Sequence, residues 1–182
     1  MIRSLLSLLL VAQTLSSAVI PPQARTVFAM KTGILLRVHV IAQDDTEEMQ
    51  RIKLCVKDAV LAAYSPEEGQ TMLQRTRTLL PQLAQAAQKA ARAEGFTGSV
   101  QVSIEQAAFD QRTLDGLTIP AGEYPALMIR LGSARGHNWW GLIDPELAQA
   151  CAALPDKTGW DWSLAAFFEA LLGFPLEVLF HE

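Results

Sequence analysis

Hydrophobic and polar positions alternate over residues 34–42, with Ile34, Leu36, Val38 and Val40 on one side and Leu35, Arg37, His39 and Ile41 on the other. A period of two predicts a strand whose first face enters the core. The period then lengthens. Met49, Ile52, Val56, Ala59, Val60 and Ala63 recur at helical spacing, and Asp45 precedes Glu48 as in a capping box, which predicts a helix over about 46–64. Ser65-Pro66-Glu67-Glu68 reads as a second helix start, with Ser65 as N-cap and Pro66 at the first helical position. Leu79-Leu80-Pro81 predicts a break in that segment, since proline lacks the interior donor. An alanine-rich helix follows to Glu94, and Gly95 suits its end.

Strand patterning returns at Val100, Val102 and Ile104, which alternate with Gln101, Ser103 and Glu105. Turn residues at Asp115-Gly116 and Pro120-Ala121-Gly122 lead into a strand over 123–131 with Leu127, Ile129 and Leu131 on its apolar face. Pro125 predicts an edge or irregular start for that strand. The short connection 132–136 and the strand-like run 137–143 complete an expected hairpin. Residues 144–159 read as loop or short helix. Leu164, Phe167, Phe168, Leu171 and Leu172 form an amphipathic helix ended by Gly173, and 176–180 can form a last strand. The order predicts an α+β fold: a single domain with an antiparallel or mixed sheet covered by helices.

With 182 residues, half of them hydrophobic, the chain can bury one sizeable core and is short for two domains. A formal net charge of −4 supplies no basic field for nucleic acid and no polybasic patch for anionic lipid. The N-terminus changes the setting. Arg3, a leucine-rich run over 5–11, and the small residues Ser16 and Ala18 have the layout of a signal peptide over 1–18, cleaved after Ala18. The alternative is an uncleaved anchor, in which case the membrane is touched only through this segment. Residues 19–33 are then a linker and 34–182 the domain. In an oxidising compartment Cys55 and Cys151 could close a disulfide, or both could be buried thiols; the sequence leaves the two readings open.

Four blocks in order carry a resemblance: Leu36-Arg37-Val38-His39-Val40-Ile41-Ala42, Lys53-Leu54-Cys55-Val56-Lys57-Asp58-Ala59-Val60, Pro120-Ala121-Gly122-Glu123-Tyr124-Pro125-Ala126-Leu127 and Gly136-His137-Asn138-Trp139-Trp140. Through them the chain resembles the stage II sporulation protein R family over roughly residues 34–145, with a weaker echo at 176–180. The resemblance implies a signalling protein secreted from the forespore into the intermembrane septal space. There it would activate a membrane-embedded sigma-factor-processing peptidase, acting on that enzyme's extracytoplasmic face so that a mother-cell sigma-factor precursor is processed. Such a protein is not itself an enzyme, and the chain carries neither an Asp-Thr-Gly nor an Asp-Ser-Gly aspartic-protease motif. It departs from the family at the cysteine that typically follows the tandem tryptophans and at another a few residues on. Those positions are Gly141 and Ala148 here, so no role for that pair is carried over.

The expected partner-binding residues are His137, Asn138, Trp139 and Trp140, with Pro120, Gly122, Glu123 and Tyr124 from the turn before the long strand. Adjacent strand residues face opposite ways, so both indoles cannot enter one core layer. Either one is displayed as an interface anchor, or one is core and the other lies under the C-terminal segment. Arg37 and His39 share a strand face, where His39 could titrate or bond an acid such as Glu123, although a structural role explains it better. Asp44-Asp45 reads as helix capping, and 132–136 as a hairpin turn rather than an anion loop.

His39, His137 and His181 lack zinc-site spacing, and no metal or cofactor is indicated. An enzyme would need Ser133 or Cys151 as nucleophile with His39 or His137 as base, but no Gly-x-Ser-x-Gly elbow is present. A secreted hydrolase and a membrane-anchored ligand-binding module therefore stand as alternatives to the signalling reading. The first requires a nucleophile converging on a histidine, and the second an enclosed apolar pocket.

Overall fold

The structure, a computed structural model, describes residues 22–144 apart from 68, 115 and 116. The expected signal segment, Cys151, His181, the expected elements after residue 144 and the Asp115-Gly116 turn lie outside the described residues. The elements run α1 (Pro22–Thr32), β1 (Arg37–Ile41), α2 (Glu47–Ala63), α3 (Met72–Ala93), β2 (Val100–Phe109), β3 (Arg112–Leu114), β4 (Leu117–Ile119), β5 (Gly122–Leu131) and β6 (Asn138–Leu142).

Four strands form a mixed sheet in the order β2-β5-β1-β6, while β3 and β4 pair with each other. β1 runs parallel to β5 and antiparallel to β6, and β2 is antiparallel to β5. The alternation in β1 sends Val38 and Val40, both fully buried, toward α2 and α3, where Ile52, Val56, Leu83 and Ala87 complete the main core. The other face is also covered. Ala29 and Met30 of α1 cluster there with Leu35, Ile119, Tyr124 and Leu142.

Several local expectations give way to longer-range packing. The expected linker contains helix α1, with Pro22 at its first position where a missing donor costs nothing, and its Ala29 and Met30 are fully buried. The cap of α2 is Thr46, whose hydroxyl accepts from Met49 N, so Asp45 is free to serve elsewhere. Ser65-Pro66 does not start a helix. α3 begins at Met72 behind a capping box in which Thr71 and Gln74 satisfy each other's backbone N–H groups. That start places Met72, Thr76, Leu79, Leu83, Ala87 and Ala91 in one buried stripe.

The same stripe explains why α3 runs unbroken through Pro81. Proline in a helix interior costs about 3 kcal/mol, but breaking the helix would uncover the apolar stripe on both sides of an exposed residue. Pro81→Ala should accordingly raise stability by about 1–2 kcal/mol, less than the full helix penalty because alanine loosens the unfolded chain. A urea unfolding series on the two proteins checks this.

The expected hairpin is not formed either, because β1 lies between β5 and β6. Pro125 fits its register. β5 pairs with β2 from Gly122 onward but meets β1 only from Ala126, so the proline occupies the part of a central strand that still has one neighbour.

Candidate functional site

The connection between β5 and β6 crosses the end of β1 and closes on the turn that leads into α2. Gly136 N donates to Ala42 O at 2.9 Å and Arg135 N to Gln43 O at 3.1 Å, while the Ser133 hydroxyl donates to Gln43 O at 3.0 Å. The next residue is fixed from two sides. Asp45 Oδ1 accepts from His137 N at 2.5 Å and lies 2.6 Å from His137 Nδ1, and Lys53 Nζ donates to His137 O at 3.1 Å. These bonds from His137 hold the Asp45 carboxyl below the usual carboxylate range. Burial lowers the Lys53 ammonium, with the Asp45 charge opposing the shift. The result is a rigid backbone presenting a His137 side chain that remains 80% exposed.

The tandem tryptophans diverge, as adjacent strand residues must, and both are half-buried. Trp139 opposite Val40 packs on the main core, with Lys57 Nζ 5.3 Å from its ring centre. It also folds over Gly141, where an added Cβ would sit 2.7 Å from the indole. A cysteine at that position, as in the resembling family, would have to move Trp139. Trp139→Ala should therefore cost about 2 kcal/mol, roughly half the value for a fully buried aromatic, whereas an indole serving only as a partner contact would leave the melting point unchanged.

Trp140, opposite His39, belongs to the other face, as do Arg37 and Tyr124. The far end of the β2–β5 ribbon curls over that face. Phe109 pairs with Gly122, six positions along β5 from the Met128 that pairs with His39, yet its ring stacks on the imidazole at 4.7 Å between centres. Flat strands would hold those two levels roughly 20 Å apart. Asn138 Nδ2 lies 2.7 Å from His39 Nδ1, so the bonding partner of His39 is Asn138 and not the expected acid Glu123. Burial, aided by the Arg37 charge, lowers the His39 pKa to about 4, so the ring is neutral near pH 7. Farther out on the same face Arg130 grips Glu105 with two bonds, at 2.5 and 2.8 Å.

The residues expected to form one surface thus divide. His137, Asn138 and Glu123 are exposed, Pro120 and Gly122 half-buried, and Tyr124 buried with its hydroxyl donating to Pro120 O at 3.2 Å. Lys53 and Phe109 were not singled out in the sequence. Lys53 carried a signal nonetheless, as a charge beside Ile52 and Val56 on the apolar side of a helix.

Of the residues an enzyme would need, Ser133 donates to a carbonyl and His39 is buried under Phe109. Cys55 is a half-buried free thiol, and its expected partner Cys151 lies outside the described residues. Among the described residues no group of three or more His, Cys, Asp or Glu is placed to hold a metal ion. None of the described helices is long and apolar enough to cross a membrane. A groove of about 770 Å³ lies between Ile34, Tyr64 and Leu73, with Arg77 and Asp144 in its lining. Its lining is mostly apolar but it is partly open to solvent, so it lacks the full enclosure of a ligand pocket.

Fold and site together define a small α+β domain with a helix-backed mixed sheet, a pinned loop at one sheet end and an aromatic-walled cation on the face of β1 away from the two long helices. The family model described as stage II sporulation protein R matches residues 32–153, and the chain belongs to that family. The stage II sporulation protein R of Bacillus subtilis (strain 168) is 29% identical over 120 residues, covering 62% of this chain and 52% of the relative. The chain thus spans about half the length of the curated relative it matches. No solved structure matches it. The family description names a sporulation stage and no catalytic activity.

Proposed function

We propose that the protein is an exported sporulation signal that activates a membrane-embedded peptidase from its extracytoplasmic side, so that the peptidase processes a mother-cell sigma-factor precursor. Family membership supports the sporulation role. The observation that favours recognition over chemistry is the His137 loop: two contacts, from Asp45 and Lys53, fix its backbone, and a third from Asp45 to Nδ1 orients an imidazole that stays 80% exposed. Such pre-ordering suits an interface, since little conformational freedom remains to be lost on binding. Glu123 at the start of β5 supplies an exposed polar group, and Asn138 beside His137 is exposed while its amide bonds the buried His39.

Deletion of the gene in its host should block processing of the precursor, and an exported wild-type copy should restore it. His137→Ala and Glu123→Ala change exposed side chains and should leave the melting point nearly unchanged. Loss of rescue by the exported, folded His137→Ala protein would support contact through this loop. Normal processing in the deletion strain would remove the signalling assignment.

A further inference from the structure

The face of β1 opposite the two long helices holds a charge that no anion among the described residues pairs with. Arg37 is 1% exposed, and none of the ion pairs among the described residues includes it. Its guanidinium carbon lies 4.7 Å from the Phe109 ring centre, 5.6 Å from that of Tyr124 and 5.5 Å from that of Trp140. Aromatic faces offset part of the charge, but they do not satisfy the N–H groups. Among the described residues, neither Nε nor Nη2 has a hydrogen-bond partner. These two atoms are the parallel donors on one edge of a guanidinium, the edge that meets both oxygens of a carboxylate.

A third donor lies two residues along the same face. His39 is 4% exposed, and because Asn138 Nδ2 donates to its Nδ1, the neutral ring carries its proton on Nε2, which also has no partner among the described residues. Orphaned buried donors are uncommon in native proteins, and three on one strand face, within one aromatic enclosure, call for a common acceptor. We propose that Arg37 and His39 form a carboxylate-binding site, which takes an acidic side chain or chain end of a polypeptide ligand between the rings of Tyr124 and Trp140. Arg37 Nε and Nη2 receive the two carboxylate oxygens, and His39 Nε2 donates to one of them. The rings bury the methylene stem. Entry turns the half-buried Phe109 off the guanidinium. One guanidinium beside a neutral imidazole suits a singly charged group, and the net charge of −4 disfavours a polyanion.

The test uses the full chain with ¹⁵N label, titrated with sodium acetate against sodium chloride and acetamide as controls. The Arg37 Nε and Trp140 indole resonances should shift saturably with acetate alone. Arg37→Met should abolish that response. It should also raise the thermal midpoint in chloride, because it removes a buried charge that the free protein leaves unpaired. Arg37→Lys keeps the charge without the two-donor edge and should weaken acetate binding by about tenfold. No saturable shift in the wild type, or the same shift in Arg37→Met, would overturn the site. So would an Arg37→Met protein melting below wild type, which would make the cation a structural part of its aromatic enclosure. A stronger response to inorganic phosphate than to acetate would overturn the carboxylate assignment.

Discussion

Gly136→Ala should destabilise the protein by about 3 kcal/mol or more, at the upper end for a single methyl group. A Cβ at this position would lie 2.2 Å from Asp44 O and 2.5 Å from the carbonyl carbon, so it meets backbone rather than a side chain that can rotate away. Neither chain can easily yield. Gly136 N is bonded to Ala42 O, and Asp44 O accepts from Gln50 Nε2 at 2.9 Å. The clash falls where the β5–β6 connection closes on the start of α2, so relief would strain the bonds that hold His137. Ser133→Ala is the informative control. It removes one exposed hydroxyl contact from the same loop and should cost about 1 kcal/mol. Urea midpoints for the three proteins give the comparison, and equal losses from both variants would mean that the loop rearranges freely.

What the sequence revealed, and what it hid, follows from the range of each interaction. The period of two in β1 and the helical period of α2 are local, and both elements lie where those periods place them. The capping pattern predicts a helix start at Ser65, whereas α3 starts behind Thr71. The choice between them depends on which start carries Met72, Thr76 and Leu79 onto the sheet, and a capping motif says nothing of that. The hairpin inference failed for a related reason. Two strands joined by five residues fit a hairpin, but the partner that separates them, β1, lies some ninety residues earlier in the chain, as the Ser133–Gln43 bond records. α1 carries most of its apolar residues in one run, 27–30, rather than at helical intervals that would mark one face, and its burial arises from what Ala29 and Met30 meet.

The candidate site divides along the same line. Divergence of the two indoles followed from strand geometry alone, whereas the enclosure of Arg37 needs rings from β2, β5 and β6 and could not be read from any one of them.

Acid should weaken the fold well before the carboxylates of the core-facing strands are protonated, and His39 sets the window. Its pKa is lowered from 6.5 to about 4, first by burial and then by the Arg37 charge. The folded protein therefore releases this proton at lower pH than the unfolded chain does. Above pH 6.5 both states are neutral at this ring and the full stability is present. Between 6.5 and about 4 only the unfolded chain takes up the proton, so stability falls as pH falls, by up to about 3 kcal/mol from this residue. Below that window the contribution is flat.

Glu105, held down from 4.5 to about 2 by Arg130 and Ser103, adds its own loss of stability only as pH falls below about 4.5, at the lower edge of the His39 interval. Unfolding midpoints measured from pH 7.5 to 4 should slope in the wild type and flatten in His39→Phe, whose ring can keep the stacking on Phe109 without a titrating nitrogen. Arg37→Met should reduce the slope partway, because it removes the second cause of the shift and leaves the first. A His39→Phe profile as steep as wild type would assign the acid sensitivity elsewhere. It would also mean that water already reaches the imidazole, contrary to its burial between Phe109 and the sheet.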